Sequence, residues 1–194
     1  MAIVDNSPDA FVFLDCESTG LDSRARLIEI AGVGCSSDWR PNRIFHSLVN
    51  TGVLIPKEIT RITGITNAMI ADAPPLASVL QQFVKWLPSN VCVAHNANFD
   101  LRLLAREAKS AGVDLPDLSY IDTLPIARAL GETPNSRLPT LIAHFRLSTK
   151  ETPHRALSDA MSLIAFIQHL DATHRLEGMS DLLVPRLFVS RPQC

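Results

Sequence analysis

The sequence has no C-x-x-C pair, no apolar run near the roughly 18 residues of a membrane helix, no block of like charges and no internal repeat. Each absence excludes something. The four cysteines, Cys16, Cys35, Cys92 and Cys194, are scattered singly, which argues against zinc ligation or a disulfide framework and for thiols in a reducing, cytoplasmic compartment. Met1 to Phe11 carries Asp5 and Asp9 without a basic lead, so it does not read as a secretion signal. Without an apolar span no membrane association is expected. A net charge of −2 argues against gripping a long duplex by neutralising many phosphates. It leaves room for handling a few nucleotides at a chain end, where bound cations supply positive charge.

What is present is an ordinary globular composition, 194 residues with 46% hydrophobic and 20% charged side chains. Prolines punctuate the chain, Pro56, Pro88 and Pro153 among them, but none lies in a linker-like stretch. One domain over 1–194 is expected, with a core of about 10–170 and a C-terminal extension, 171–194. Phe11 to Asp15, Leu27 to Val33 and Ile44 to Val49 read as strands joined by short turns, an antiparallel meander. Helical spacing follows over Pro75 to Leu87, stopping at Pro88, and again from about Asn98 to a stop at Gly112. Val91 to Ala94 and Ser119 to Asp122 are short buried strands. Leu124 to Leu130, Leu138 to Phe145 and about Arg155 to Leu170 are helices. The order βββαβα, then β and helices, predicts an α/β fold with a mixed five-stranded sheet flanked by helices. The apolar stretch Leu182 to Val189 is expected to pack on that core, with a partner surface as the alternative.

The acids that stand out lie at the ends of apolar elements. Asp15 and Glu17 close the first strand, and their i, i+2 spacing places both carboxylates on one face of the sheet. Two such charges repel unless a cation lies between them or one takes a proton. Asp100 follows the strand ending at Ala94, where α/β sheets collect ligands. Asp159 opens the last amphipathic helix, with His154 five residues earlier. Singly, each has a bland reading as a solvated strand end, a helix-start acid or a loop histidine.

Taken in order, these segments resemble the three motifs of the DEDDh (DnaQ-like) exonucleases. Asp15-Cys-Glu-Ser-Thr-Gly-Leu21 is similar to D-x-E-T-T-G-L, with Ser18 in place of threonine. His95-Asn-Ala-Asn-Phe-Asp100 is similar to H-N-A-x-F-D, and His154-Arg-Ala-Leu-Ser-Asp159-Ala to H-x-A-x-x-D-A. The position that holds tyrosine in the DEDDy group is Arg155, and the single tyrosine, Tyr120, lies elsewhere. Ile59 to Thr66 also resembles the segment before the long helix of proofreading-type members.

The resemblance implies a ribonuclease-H-like fold and a metal-dependent 3′→5′ exonuclease that releases nucleoside 5′-monophosphates. It implies two divalent cations, Mg²⁺ or Mn²⁺, with Asp15 bridging both, Glu17 and Asp159 completing one site and Asp100 holding the second. His154 would be the general base, a task that suits an imidazole titrating near neutrality. Ser18, Thr19, Gly20 and Leu21 would seat the 3′-terminal nucleotide, with Asn96 and Phe99 lining the same pocket; Leu21 and Phe99 have a core reading as well. His95 reads as structural. The implied substrate is the 3′ end of a single strand. The segment Thr63 to Thr66 favours DNA, and an exoribonuclease of the RNase T or oligoribonuclease kind is the alternative. A polymerase is an implied partner. A catalytically silent module that binds nucleic acid or a polymerase is the remaining alternative, disfavoured because all five motif positions are filled.

Overall fold

The computed structural model describes residues 10–87, 91–147 and 154–190. The N-terminal stretch before Ala10, the helix stop at Pro88, Pro153 and Cys194 lie outside the described residues. The three early strands are β1 (Phe11–Ser18), β2 (Leu27–Cys35) and β3 (Pro41–Leu48), paired antiparallel in sequence order. β4 (Val91–Ala94) joins β1 in parallel and β5 (Leu118–Asp122) joins β4 in parallel. Both later strands are apolar runs buried on two faces, as parallel strands require. A sixth strand, β6 (Arg186–Phe188), pairs antiparallel with β5 and gives the order β3-β2-β1-β4-β5-β6. Among the described residues the sheet therefore has six strands where the sequence predicts five. The extra one comes from the C-terminal extension, where Leu182, Leu183 and Phe188 pack partly buried on the core as expected of the stretch, while Val184, Leu187 and Val189 stay exposed.

Alternation along β1 sends neighbouring residues to opposite faces of the sheet. Leu14 joins a core layer with Leu80, Phe83, Leu101 and Leu104, from α3 (Leu76–Trp86) and α4 (Ala97–Ala111). Phe13 joins the other layer with Ile126, Leu163, Phe166 and Ile167, from α5 (Thr123–Leu130) and α7 (Ala156–Ala172). α6 (Leu138–His144) packs beside α7 and adds Leu138 and Leu141 to that layer. Two short helices, α1 (Lys57–Thr63) and α2 (Asn67–Ala71), cover β2 through Ile55, Ile65 and Ile70. They form where the sequence resembles proofreading members: Gly64 ends α1 in the left-handed conformation, and Thr66 caps α2 by accepting from the Met69 amide. Gly112 ends α4 in the same left-handed way, as its position predicts.

Candidate active site

Because β1, β4 and β5 run parallel, their C-terminal ends lie side by side, and chain leaving those ends forms one crevice. β1 delivers Asp15 and Glu17 there, β4 leads into His95 and Asn96, and β5 ends at Asp122. Asp15 and Glu17 are partly exposed while Cys16 between them is buried, as i, i+2 spacing on one face demands. The β1–β2 register shifts between Glu17 and Ser18, where β2 carries one extra residue, Ile28, just after the second acid.

Asp100, in the first turn of α4, is buried and accepts a hydrogen bond from the Cys16 amide at 3.0 Å, so it is tied to the strand between the other two acids. Burial pushes its carboxyl up to about 8, against the pull of its own amide and that of Cys16. Asp15 is held well above the usual carboxylate range by burial and then by the charges of Asp100, Asp159 and Glu17. Burial, then Asp159, Glu29 and Asp100, push Glu17 up to about 8, with Arg155 opposing. Asp159 is raised by burial and held back by His154. Asp15 and Glu17 thus each feel other acids of the cluster. Glu17, His154 and Asp159 each offer a ligand atom within 4.8 Å of the other two. The pairing of Glu17 with Asp159 is the expected one, and His154 stands inside the same group rather than apart from it. Crowded, desolvated carboxylates that resist ionisation, all hard oxygen donors, fit a divalent cation.

A carboxylate that the sequence does not single out organises this corner. Glu29 of β2 sits directly opposite Glu17 across the β1–β2 ladder, and its side chain is fully buried. It accepts from Arg155 Nε at 3.1 Å and Nη2 at 2.7 Å and from the Ala156 amide at 2.8 Å. The His46 ring completes the set at 2.8 Å. Burial raises its pKa, but these partners outweigh burial and hold it down at about 2. The first turn of α7 is therefore clamped to β2 at the residue after His154 and one turn before Asp159. His154 itself has φ 62°, a left-handed conformation rare for a side-chain-bearing residue. The only sequence signal for Glu29 is a charge interrupting an apolar strand.

The expected nucleotide contacts divide. Leu21 is 86% exposed and lines the crevice with Asn96, which excludes the core reading for Leu21. Phe99 packs partly buried against the α3–α4 core layer, in line with its core reading. The Ser18 hydroxyl is turned inward and donates to Gly20 O at 2.5 Å, while Thr19 Oγ1 accepts from the Arg26 amide at 2.9 Å. Both hydroxyls thus shape the loop that carries Leu21. Asn96 adopts the left-handed conformation that its residue type tolerates, and its amide donates to Asp122 Oδ1 at 2.9 Å. His95 is structural, as expected: its ring bonds Thr123 Oγ1 at 2.9 Å and Ser136 O at 2.7 Å.

The fold and this acid cluster define a ribonuclease-H-like α/β protein with a carboxylate-rich site at the ends of its parallel strands. The chain belongs to the exonuclease family (RNase T type), which it matches over residues 12–167. It is 36% identical over 154 residues to a PolC-type DNA polymerase III of Oceanobacillus iheyensis, covering 78% of this chain and 11% of that protein. It is 30% identical over 169 residues to the 3′-5′ exonuclease DinG of Bacillus subtilis, covering 86% of this chain and 18% of that one. The chain thus spans under a fifth of the length of these curated relatives. Among solved structures it resembles exonuclease X in complex with 5′ overhanging duplex DNA, with a TM-score of 0.68, 26% identity, and coverage of 89% of this chain and 98% of the other. Its fold also matches Escherichia coli exonuclease I in complex with a dT13 oligonucleotide, with a TM-score of 0.77, 19% identity, and coverage of 88% and 42%.

Proposed function

We propose that this chain, as one exonuclease unit over 1–194, removes nucleotides from the 3′ ends of single strands, DNA in preference to RNA. The observation that carries the reading is the convergence of Asp15, Glu17, Asp100 and Asp159 with His154 from β1, α4 and the start of α7. The four carboxylates would hold two divalent cations, Mg²⁺ or Mn²⁺. When bound, such cations supply charge stabilisation for the phosphate oxygens and lower the pKa of water. His154 accepts one proton of the attacking water on an imidazole nitrogen as the water oxygen bonds to phosphorus. The P–O3′ bond breaks, the O3′ oxygen takes a proton from solvent to become the new 3′-hydroxyl, and a nucleoside 5′-monophosphate departs. Leu21 and Asn96, which share the crevice with Asp15, seat the terminal nucleotide. The likeness to polymerase-linked relatives supports a DNA substrate and a polymerase partner. The buried thiols Cys16 and Cys92 agree with a cytoplasmic setting. Among the described residues no helix is long and apolar enough to cross a membrane.

The test is degradation of matched 3′-labelled and 5′-labelled single strands, DNA and RNA in parallel, with Mg²⁺, Mn²⁺ or EDTA. Mononucleotide release from the 3′ end that needs metal supports the reading, and the faster-cut sugar identifies the substrate. Folded protein that cuts no strand under either metal refutes it and leaves the silent binding module.

A further inference from the structure

The crevice encloses about 830 Å³, towards the upper end of the roughly 300–1,000 Å³ of small-ligand pockets, which leaves room beyond one terminal nucleotide. Asp15, His154 and Asp159 line it together with Arg128 and Arg137. Arg128 is exposed in the last turn of α5, and Arg137 is exposed at the residue before α6. Among the described residues neither guanidinium has a carboxylate or hydrogen-bond partner, whereas Arg26, Arg155 and Arg175 are paired with Glu107, Glu29 and Glu132. The two arginines are not counter-ions of the acid cluster, since they form no ion pair with it.

The loop that carries Arg137 is anchored. The Arg137 amide donates to Asn135 Oδ1 at 3.1 Å, Thr140 donates to the same oxygen at 2.9 Å, and His95 holds the carbonyl of Ser136. An anchored loop leaves only the side chain to be ordered when the cation binds. Two unpaired guanidinium forks facing into an acid-bearing crevice match the geometry of phosphate oxygens, which accept two parallel hydrogen bonds.

We propose that Arg128 and Arg137 form a phosphate-binding subsite for the strand on the 5′ side of the cleaved bond. This rests on the exonuclease reading above: the terminal nucleotide ends the chain, so every phosphate beyond the cleaved one lies 5′ to it. The subsite also answers the charge problem. A net charge of −2 gives no overall attraction for a polyanion, so local cations are needed to hold the strand.

The experiment reads binding first, without metal. Anisotropy of a labelled single-stranded oligonucleotide of about a dozen nucleotides is followed in EDTA across salt concentrations. Arg128→Gln and Arg137→Gln each weaken binding by roughly tenfold, as loss of a hydrogen bond to a charged group does. Each lowers the log–log salt slope by about 0.7. The Arg→Lys variants keep the slope but recover only part of the affinity, because the fork is lost. Arg61→Gln, the same charge change on an exposed residue of α1, alters neither. With Mn²⁺ the double variant raises KM for the oligonucleotide while kcat holds, and its effect shrinks on a dinucleotide. Unchanged affinity and slope in the double variant overturn the proposal, as does an equal loss on dinucleotide and oligonucleotide. Wild type that binds with the expected slope but cuts nothing refutes the exonuclease reading and leaves the subsite standing.

Discussion

At Glu17 and Glu29 the β1–β2 register sets two carboxylates on facing positions, an arrangement that is destabilising unless one charge is balanced. Glu29 is the balanced one. Its folded pKa of about 2 lies below the roughly 4.3 of an unfolded glutamate, so its stabilisation is complete above that value and is lost as pH falls towards 2. Glu29→Gln should destabilise the fold by about 3 kcal/mol near neutrality, the scale of breaking a buried ion pair. Thermal unfolding against pH should show the gap from wild type closing below about pH 4. His154→Ala belongs to the same corner but has a different signature. It should lower kcat by roughly 10²–10⁴-fold while oligonucleotide affinity in EDTA stays within about twofold. An equal loss of binding would remove His154 from the role of base. The contrast marks what was legible. Asp15, Glu17, Asp100, His154 and Asp159 sit at the ends of apolar elements, where order along the chain exposes them. Glu29 reads as one charge inside an apolar strand, because Arg155, its partner, is 126 positions away.

Among the elements, β2 and α3 meet at Gly32, and here a glycine is required by contact rather than by backbone conformation. A Cβ at Gly32 would lie 2.6 Å from the Trp86 ring. Trp86 has little room to yield, since it is stacked on Phe83 and covered by Arg43 at 4.5 Å. Gly32→Ala should therefore cost about 1–3 kcal/mol in chemical denaturation, the penalty of overpacking. Its kcat should stay near wild type, because Gly32 lies on the layer away from α7. Periodicity made α3, α4 and α7 readable to within two residues at each end. It could not reveal β6, whose three residues are too few for alternation and whose pairing depends on an edge of β5 that only the folded sheet creates. The short α1 and α2 are in a similar position, held by Ile65 and Ile70 against β2 more than by helical spacing of their own.

Across the whole molecule the acid cluster works against the stability that Glu29 provides. Glu17 and Asp100 have folded pKa values of about 8, above their unfolded values of roughly 4. The sign is therefore opposite: their contribution is complete below about pH 4 and is lost as pH rises through 8. In EDTA the melting temperature should fall between those limits. Saturating Mg²⁺ or Mn²⁺ should reverse the fall near pH 8, with about 2.7 kcal/mol recovered at a hundredfold excess over Kd. A melting temperature flat with pH and indifferent to metal would show that the acids do not share one cation site.

The clamp between Glu29 and the start of α7 has a consequence for synthesis. Chains fold in part while they emerge from the ribosome, N-terminal portions first. By the time Asp100 has emerged, three acids and most of the sheet are available, but His154 and Asp159 are still to come. A nascent chain at that stage lacks both His154 and Asp159. The corner that gathers the acids is therefore completed last, when α7 closes onto β2 through Glu29.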